Sequence, residues 1–168
     1  AIKEQSPSMM KTVYQNDESY RQYWSFGKYE YYSSNDIAMM DEDGYIMLLG
    51  RSDDIIIVAG HNVGTAEIES ALVSHSAVAE AAAIGKPDPL KGNIIKAFVI
   101  LRNGISPTPK LIHDLKYHVR IMLGPISVPA ELDFVDNLPK TRSGKIMRRV
   151  LKAQEMGIDP GDVSTLDE

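Results

Sequence analysis

From Asp53 onward, short apolar runs alternate with segments whose apolar residues recur at helical spacing. Ile55 to Val58 is an apolar run ended by Gly60, and it predicts a buried strand. Thr65-Ala66-Glu67 then opens a helix, with a hydroxyl at the cap and an acid in the first turn. Ile68, Ala71, Leu72 and His75 follow on one face. Val78 to Ile84 predicts a second strand, Lys86 to Gly92 a turn-rich loop, and Ile94 to Leu101 the strongest strand of the chain. A second helix starts at Ser106-Pro107-Thr108-Pro109, with a proline near its first turn. Its apolar face is Leu111, Leu115, Val119 and Met122, and Gly124-Pro125 stops it. Glu131 to Val135 predicts another strand, followed by a basic segment and a helix from Ile146 to about Met156, which runs into an acidic tail.

The first fifty residues have a different texture. Residues 1–30 are polar and tyrosine-rich, without a clean period. Tyr29 to Tyr32 and Tyr45 to Leu49 read as strands on either side of the turn Asp41-Glu42-Asp43-Gly44, which predicts a β-hairpin. Strand and helix alternate after it, so a compact α/β domain of roughly a hundred residues is expected over 53–168, with 1–52 the end of another unit. The chain opens at Ala1 in mid-pattern, as a fragment of a longer protein would.

Composition narrows the chemistry. At 43% hydrophobic and 24% charged residues the chain is an ordinary globular one. A net charge of −5 argues against a nucleic-acid or membrane partner. Without cysteine there is no disulfide, no thiolate metal site and no cysteine nucleophile. No apolar stretch is long enough to span a bilayer. Against this acidic background, NLPKTRSGKIMRR (137–149) gathers Lys140, Arg142, Lys145, Arg148 and Arg149 with no acid among them. Gly144 permits a tight turn just before Lys145, whose ammonium suits a phosphate oxygen as a point charge. A solvated basic face is the plainer reading of a charge run. A P-loop is not met, because the earlier glycine is missing and Ile146 follows the lysine. In GRSDDIIIVAGHNVGTAEIESAL (50–72), Arg51, Asp53 and Asp54 precede an apolar strand and fit either an acid-capped turn or a hinge, while Gly60 and Gly64 permit close backbone approach. His61, His75, His113 and His118 have no metal-ligand spacing.

These two stretches, with YYSSNDIAMMDEDGYIMLLGR (31–51), resemble the AMP-forming acyl-CoA synthetases of the adenylate-forming superfamily, and among them the acetyl-CoA synthetases most. The three motifs occur in the family's order and cover nearly the whole chain. The resemblance implies an α/β (α+β) fold: a small mixed-sheet C-terminal domain with flanking helices, preceded by a hairpin remnant of the large N-terminal domain. It implies a cytoplasmic ligase in which a carboxylate and ATP, with Mg2+, form an acyl-adenylate that coenzyme A then converts to a thioester. Lys145 matches the family's catalytic lysine, Asp36 and Arg51 its ribose-side residues, and Asp53 its hinge. Ala59 and Gly60 match the loop lining the pantetheine passage, and Arg120 an arginine that meets the 3′-phosphate of coenzyme A. Val73, His75 and Val78 fall where some relatives hold a structural cation through carbonyls and one imidazole, although a helix-end position explains His75 equally well. Two departures stand out. Asn35 replaces a glycine before the ribose acid, which is expected to alter the backbone there, and Asn62 replaces an arginine that reaches the adenylate phosphate. The family's phosphate loop, adenine pocket and acyl pocket belong to the N-terminal domain, so this chain alone is expected to be inactive. A ligase for another carboxylic acid, or a non-catalytic module of the same family, are the competing readings.

Overall fold

A computed structural model describes residues 3–24 and 31–167, apart from the side chains of Leu49 and Asp53. It divides into two compact units, Ala1–Asp53 and Asp54–Glu168.

The first unit holds a short helix, α1 (Asp17–Gln22), and a hairpin, β1 (Asp36–Met40) with β2 (Ile46–Arg51). Asn16 caps α1 by accepting from the Ser19 amide at 2.9 Å. The hairpin forms as predicted, but its first strand is Asp36–Met40 and not Tyr29 to Tyr32. Tyr29 and Glu30 lie outside the described residues. The strand escapes pattern reading because Asp36-Ile37-Ala38-Met39-Met40 has no alternation, and only Ile37 in it is shielded from solvent. Asp41 closes the turn, its carboxylate accepting from the Tyr45 amide at 2.8 Å. A 3-10 turn, Ser52–Asp54, follows.

The second unit is a five-stranded mixed sheet: β3 (Ile55–Val58), β4 (His61–Gly64), β5 (Val78–Asp88), β6 (Gly92–Leu101) and β7 (Glu131–Phe134), with α2 (Thr65–Val73), α3 (Pro109–Leu123) and α4 (Arg148–Met156). The path runs β4-β3-β6-β5 through antiparallel pairs, and β7 lies parallel to β6 after the crossover through α3. Alternation in β5 and β6 divides the core into two layers. Ala81, Ala83, Ile95, Ala97 and Val99 face a layer with Ile68 and Leu72 of α2 and Leu115 and Val119 of α3. Ala82, Ile84 and Phe98 face another with Leu138 and with Leu151 of α4. Gly85 belongs to this design: a Cβ there would meet the Ile56 Cγ2 at 3.1 Å.

Several expectations are corrected. Thr65 is not a cap but the first residue of α2, itself buried; Gly64 stands at the cap. The stretch from Lys86 to Gly92 is mostly ladder, with Pro87 opposite Asn93, so only residues 89–91 turn. Met122 is half-exposed, and the α3 face is completed by Ile112 and Leu123 instead. α4 starts at Arg148, because Ile146 is still paired with Lys140 and the Met147 amide donates to the Pro139 carbonyl at 2.8 Å.

Candidate functional site

Residues 139–147 form a small hairpin whose geometry is set by glycine and by hydroxyls. The Thr141 amide donates to the Lys145 carbonyl at 2.8 Å and the Gly144 amide to the Thr141 carbonyl at 2.8 Å. Gly144 takes φ +81, the left-handed conformation that closes a three-residue loop of this kind. The Thr141 hydroxyl accepts from the Lys145 amide at 3.1 Å and lies 3.0 Å from the Ser143 hydroxyl. The motif TRSGK is thus a rigid elbow that ends in the lysine.

The basic cluster resolves into bound and free charges. Lys140 Nζ sits 2.6 Å from Glu80 Oε2. Arg148 forks onto Glu69, at 2.9 Å (Nε to Oε1) and 2.6 Å (Nη2 to Oε2), and its Nη1 donates to Asp54 Oδ2 at 2.8 Å. Arg149 donates to the Asp162 carbonyl. The side chains of Arg142 and Lys145 are exposed and make no hydrogen bond or ion pair among the described residues. A carboxylate pinning Lys145 inward would rule out a phosphate role; none does so among the described residues. This arrangement presents an ammonium on a stiff backbone to whatever anion approaches.

Ala59 and Gly60 form the two-residue turn between β3 and β4, with Val58 opposite His61. Both have positive φ, +49 and +83. Ala59 lacks the side chain that usually tolerates this conformation, at a cost of about 1–2 kcal/mol. The Ala59 amide is tied to the Lys91 carbonyl at 2.9 Å, which fixes the turn. Beside it runs a groove of about 230 Å³, lined among others by Val58, Ala59, Lys91, Ile95, Pro125 and Ile126. Asn62 is exposed on β4, opposite Ile57. Arg120 is exposed in the last turn of α3.

In the first unit, Asp36 and Arg51 stand directly opposite one another across the β1–β2 pair, both exposed, and Arg51 also donates to the Ser34 carbonyl at 3.3 Å. Asn35 takes φ +58, a left-handed conformation that asparagine tolerates. Asp53 is the last residue of this unit, within the 3-10 turn. His75 follows α2; its Nδ1 accepts from the Ala77 amide at 3.2 Å and its ring meets that of His118 edge-on, 5.3 Å between centroids. Val73 is the last residue of α2 and exposed, and Val78 opens β5 as a buried residue. No group of three His, Asp or Glu side chains that could hold a metal occurs among the described residues.

Two features went unread in the sequence. One is the Arg148 fork. The other is Lys96, which interrupts the apolar run of β6 and is almost fully buried on the α4 side. Its Nζ lies 2.8 Å from both Asp133 and Glu155 and 3.4 Å from Glu131, while Lys86 bridges Glu131 and Glu155 at 2.9 Å each. Burial disfavours the Lys96 ammonium, but hydrogen bonds to Asp133 and Glu155 outweigh it and raise its pKa above the usual lysine value. A lysine amid Ile94-Ile95 and Ala97-Phe98 was the available signal for such a network.

Comparison with known proteins agrees with the motifs. The model of the "AMP-binding enzyme C-terminal domain" matches residues 67–145. The acetyl-coenzyme A synthetase of Bacillus subtilis (strain 168) is 51% identical over 168 residues, covering 100% of this chain and 29% of that protein. The 3-hydroxypropionyl-coenzyme A synthetase of Metallosphaera sedula is 47% identical over 163 residues, covering 96% of this chain and 24% of that protein. Among solved structures, an acyl-CoA synthetase of Brucella canis superposes with a TM-score of 0.62 at 44% identity, over 76% of this chain and 24% of that one. The chain therefore spans less than a third of the length of each of these relatives. No helix among the described residues is long and apolar enough to cross a membrane.

Proposed function

We propose that the chain, whose residues 67–145 match the model of the AMP-binding enzyme C-terminal domain, is the C-terminal portion of an AMP-forming acyl-CoA synthetase: the mobile lobe, with the approach to its hinge, of a cytoplasmic acetate–CoA ligase. The observation that carries this reading is Lys145, exposed and without a partner among the described residues, while Lys140, Arg148 and Arg149 beside it are all engaged.

The first half-reaction joins the carboxylate to the α-phosphate of ATP and releases pyrophosphate. Negative charge shifts onto phosphate oxygens as the carboxylate attacks, and the Lys145 ammonium neutralises it there. Asp36 accepts from the ribose hydroxyls with two carboxylate oxygens, and Arg51 stands opposite it. Magnesium enters with the phosphates of ATP. In the second half-reaction the lobe turns about Asp53 and withdraws Lys145, and the Ala59-Gly60 turn lines the path of the pantetheine thiol. The groove beside that turn, about 230 Å³, lies below the ~300–1,000 Å³ of sites for compact ligands and suits a slender chain. Arg120 meets the 3′-phosphate of coenzyme A. The apolar side chains that the hairpin exposes, Met39, Met40, Ile46 and Leu48, are the surface a larger N-terminal adenylation domain would cover.

Pyrophosphate exchange in the full-length synthetase, with acetate, propionate and butyrate, tests the reading. Acetate should exchange best, and Lys145→Ala should lower the exchange by about 10²–10³-fold, the loss typical of one oxyanion partner. Exchange that survives Lys145→Ala overturns the assignment.

A further inference from the structure

The hydrogen bonds within the elbow that carries Lys145 are not its only support. A two-stranded hairpin by itself is marginal in water, and this one is exposed and turns through a glycine. A third strand comes from a distant part of the chain. Leu166 pairs antiparallel with Thr141, the Arg142 amide donates to the Thr165 carbonyl at 3.2 Å, and the Asp167 amide donates to the Lys140 carbonyl at 2.8 Å. The contributing segment is itself shaped. The Ser164 amide donates to Asp162 Oδ1 at 2.9 Å, the Leu166 amide to the Val163 carbonyl at 2.9 Å, and Arg149 reaches the Asp162 carbonyl from α4. Residues 162–165 and 167 are exposed, so the segment adds little to the core. What it supplies is backbone hydrogen bonds, and they fall on the residues just before Lys145.

We infer that residues 162–167 are a positioning strap, which holds the Lys145 elbow in the form used for adenylation and has no part in thioester formation. The inference rests on the ligase reading above. Thioester formation is the step in which Lys145 is withdrawn, so a loosened elbow should leave it intact. Adenylation needs the ammonium placed within a fraction of an ångström, and a displacement of about 1 Å can cost about 10²-fold.

Asp167→Pro removes both the carboxylate and the amide that bonds the Lys140 carbonyl, whereas Asp167→Ala removes the carboxylate and keeps the amide, so the pair separates backbone from charge. Arg149→Gln releases the other end of the strap. In the full-length synthetase, Asp167→Pro and Arg149→Gln should lower acetate-dependent pyrophosphate exchange about ten- to a hundred-fold. Thioester formation from preformed acetyl-adenylate should stay within about two-fold, and Asp167→Ala should match wild type in both assays. Amide hydrogen exchange should report a faster Arg142 in Asp167→Pro. If Arg142 keeps its protection, if it loses protection without loss of adenylation, or if both half-reactions fall together, the strap is refuted. A wild type without pyrophosphate exchange refutes the ligase reading, and this inference with it.

Discussion

Replacing Arg148 with methionine tests whether the lysine elbow is tied to the body of its unit by charge. Methionine keeps the aliphatic stem and removes the guanidinium, on which the Glu69 and Asp54 carboxylates rely. Glu69 is 13% exposed and Asp54 26%, the same as Arg148, so the three lie between a buried and a surface cluster. Breaking a fully buried pair costs about 3–5 kcal/mol, and an exposed one contributes about 0–1. The Ala83 amide still donates to Glu69 Oε1 at 2.9 Å after the change and keeps part of that carboxylate satisfied. About 2–3 kcal/mol is therefore expected. With a urea slope of about 1–3 kcal/mol/M, the midpoint followed by far-UV circular dichroism should fall by about 1 M. An Arg148→Lys variant keeps the charge but cannot fork, so it should recover less than half of the loss. Adding Glu69→Gln to Arg148→Met should restore stability, because a stranded charge disappears. An Arg148→Met midpoint indistinguishable from wild type, or an Arg148→Lys variant as stable as wild type, would refute the reasoning.

Glu155→Gln probes the network around Lys96. The lysines hold the Glu155 and Glu131 carboxyls below their ordinary value of 4.5, so these two contribute stability above that pH and lose it as pH falls through the folded values. Lys86 and Lys96 are raised above 10.5, so their contribution is present below that pH and lost only on going higher. Thermal midpoints should therefore show Glu155→Gln less stable at about pH 7, with the gap to wild type closing as pH falls below 4.5; a constant gap would contradict the assignment. Asn62→Arg places a cation on an exposed edge-strand position. It should lower the KM for ATP in the full-length synthetase without changing the fold, and an unchanged KM would remove position 62 from the nucleotide site.

What could be read in the sequence was local. The apolar runs and helix faces from Ile55 to Met156 each carry their own period, and all formed close to where the pattern placed them. The misses are positions decided from outside the segment. β4, His61-Asn62-Val63-Gly64, has one buried residue and no alternation of its own, and it exists because the Ala59-Gly60 turn folds it back on β3. Lys86-Pro87-Asp88 reads as a loop by composition yet completes a ladder that β6 dictates. Met122 fits the helical period but is half-exposed, while Ile112 and Leu123 pack against the core, and only the placement of α3 against the rest of the unit determines which.

The same distinction separates Lys145 from its neighbours. Five basic residues within ten positions look equivalent along the chain, and the run alone favours a solvated face. Folding makes them unequal, because the acids that select among them come from far away: Glu80 on β5, Glu69 on α2 and Asp54 in the 3-10 turn. A side chain that has found its carboxylate is held in place and electrostatically spent. The residues left over among those described, Arg142 and Lys145, carry their charge toward solvent, on a backbone held by their bound neighbours. Lys145 is suited to an incoming phosphate for that reason, and the same logic extends to the elbow as a whole: the neighbours supply rigidity, and the unpaired ammonium supplies the field.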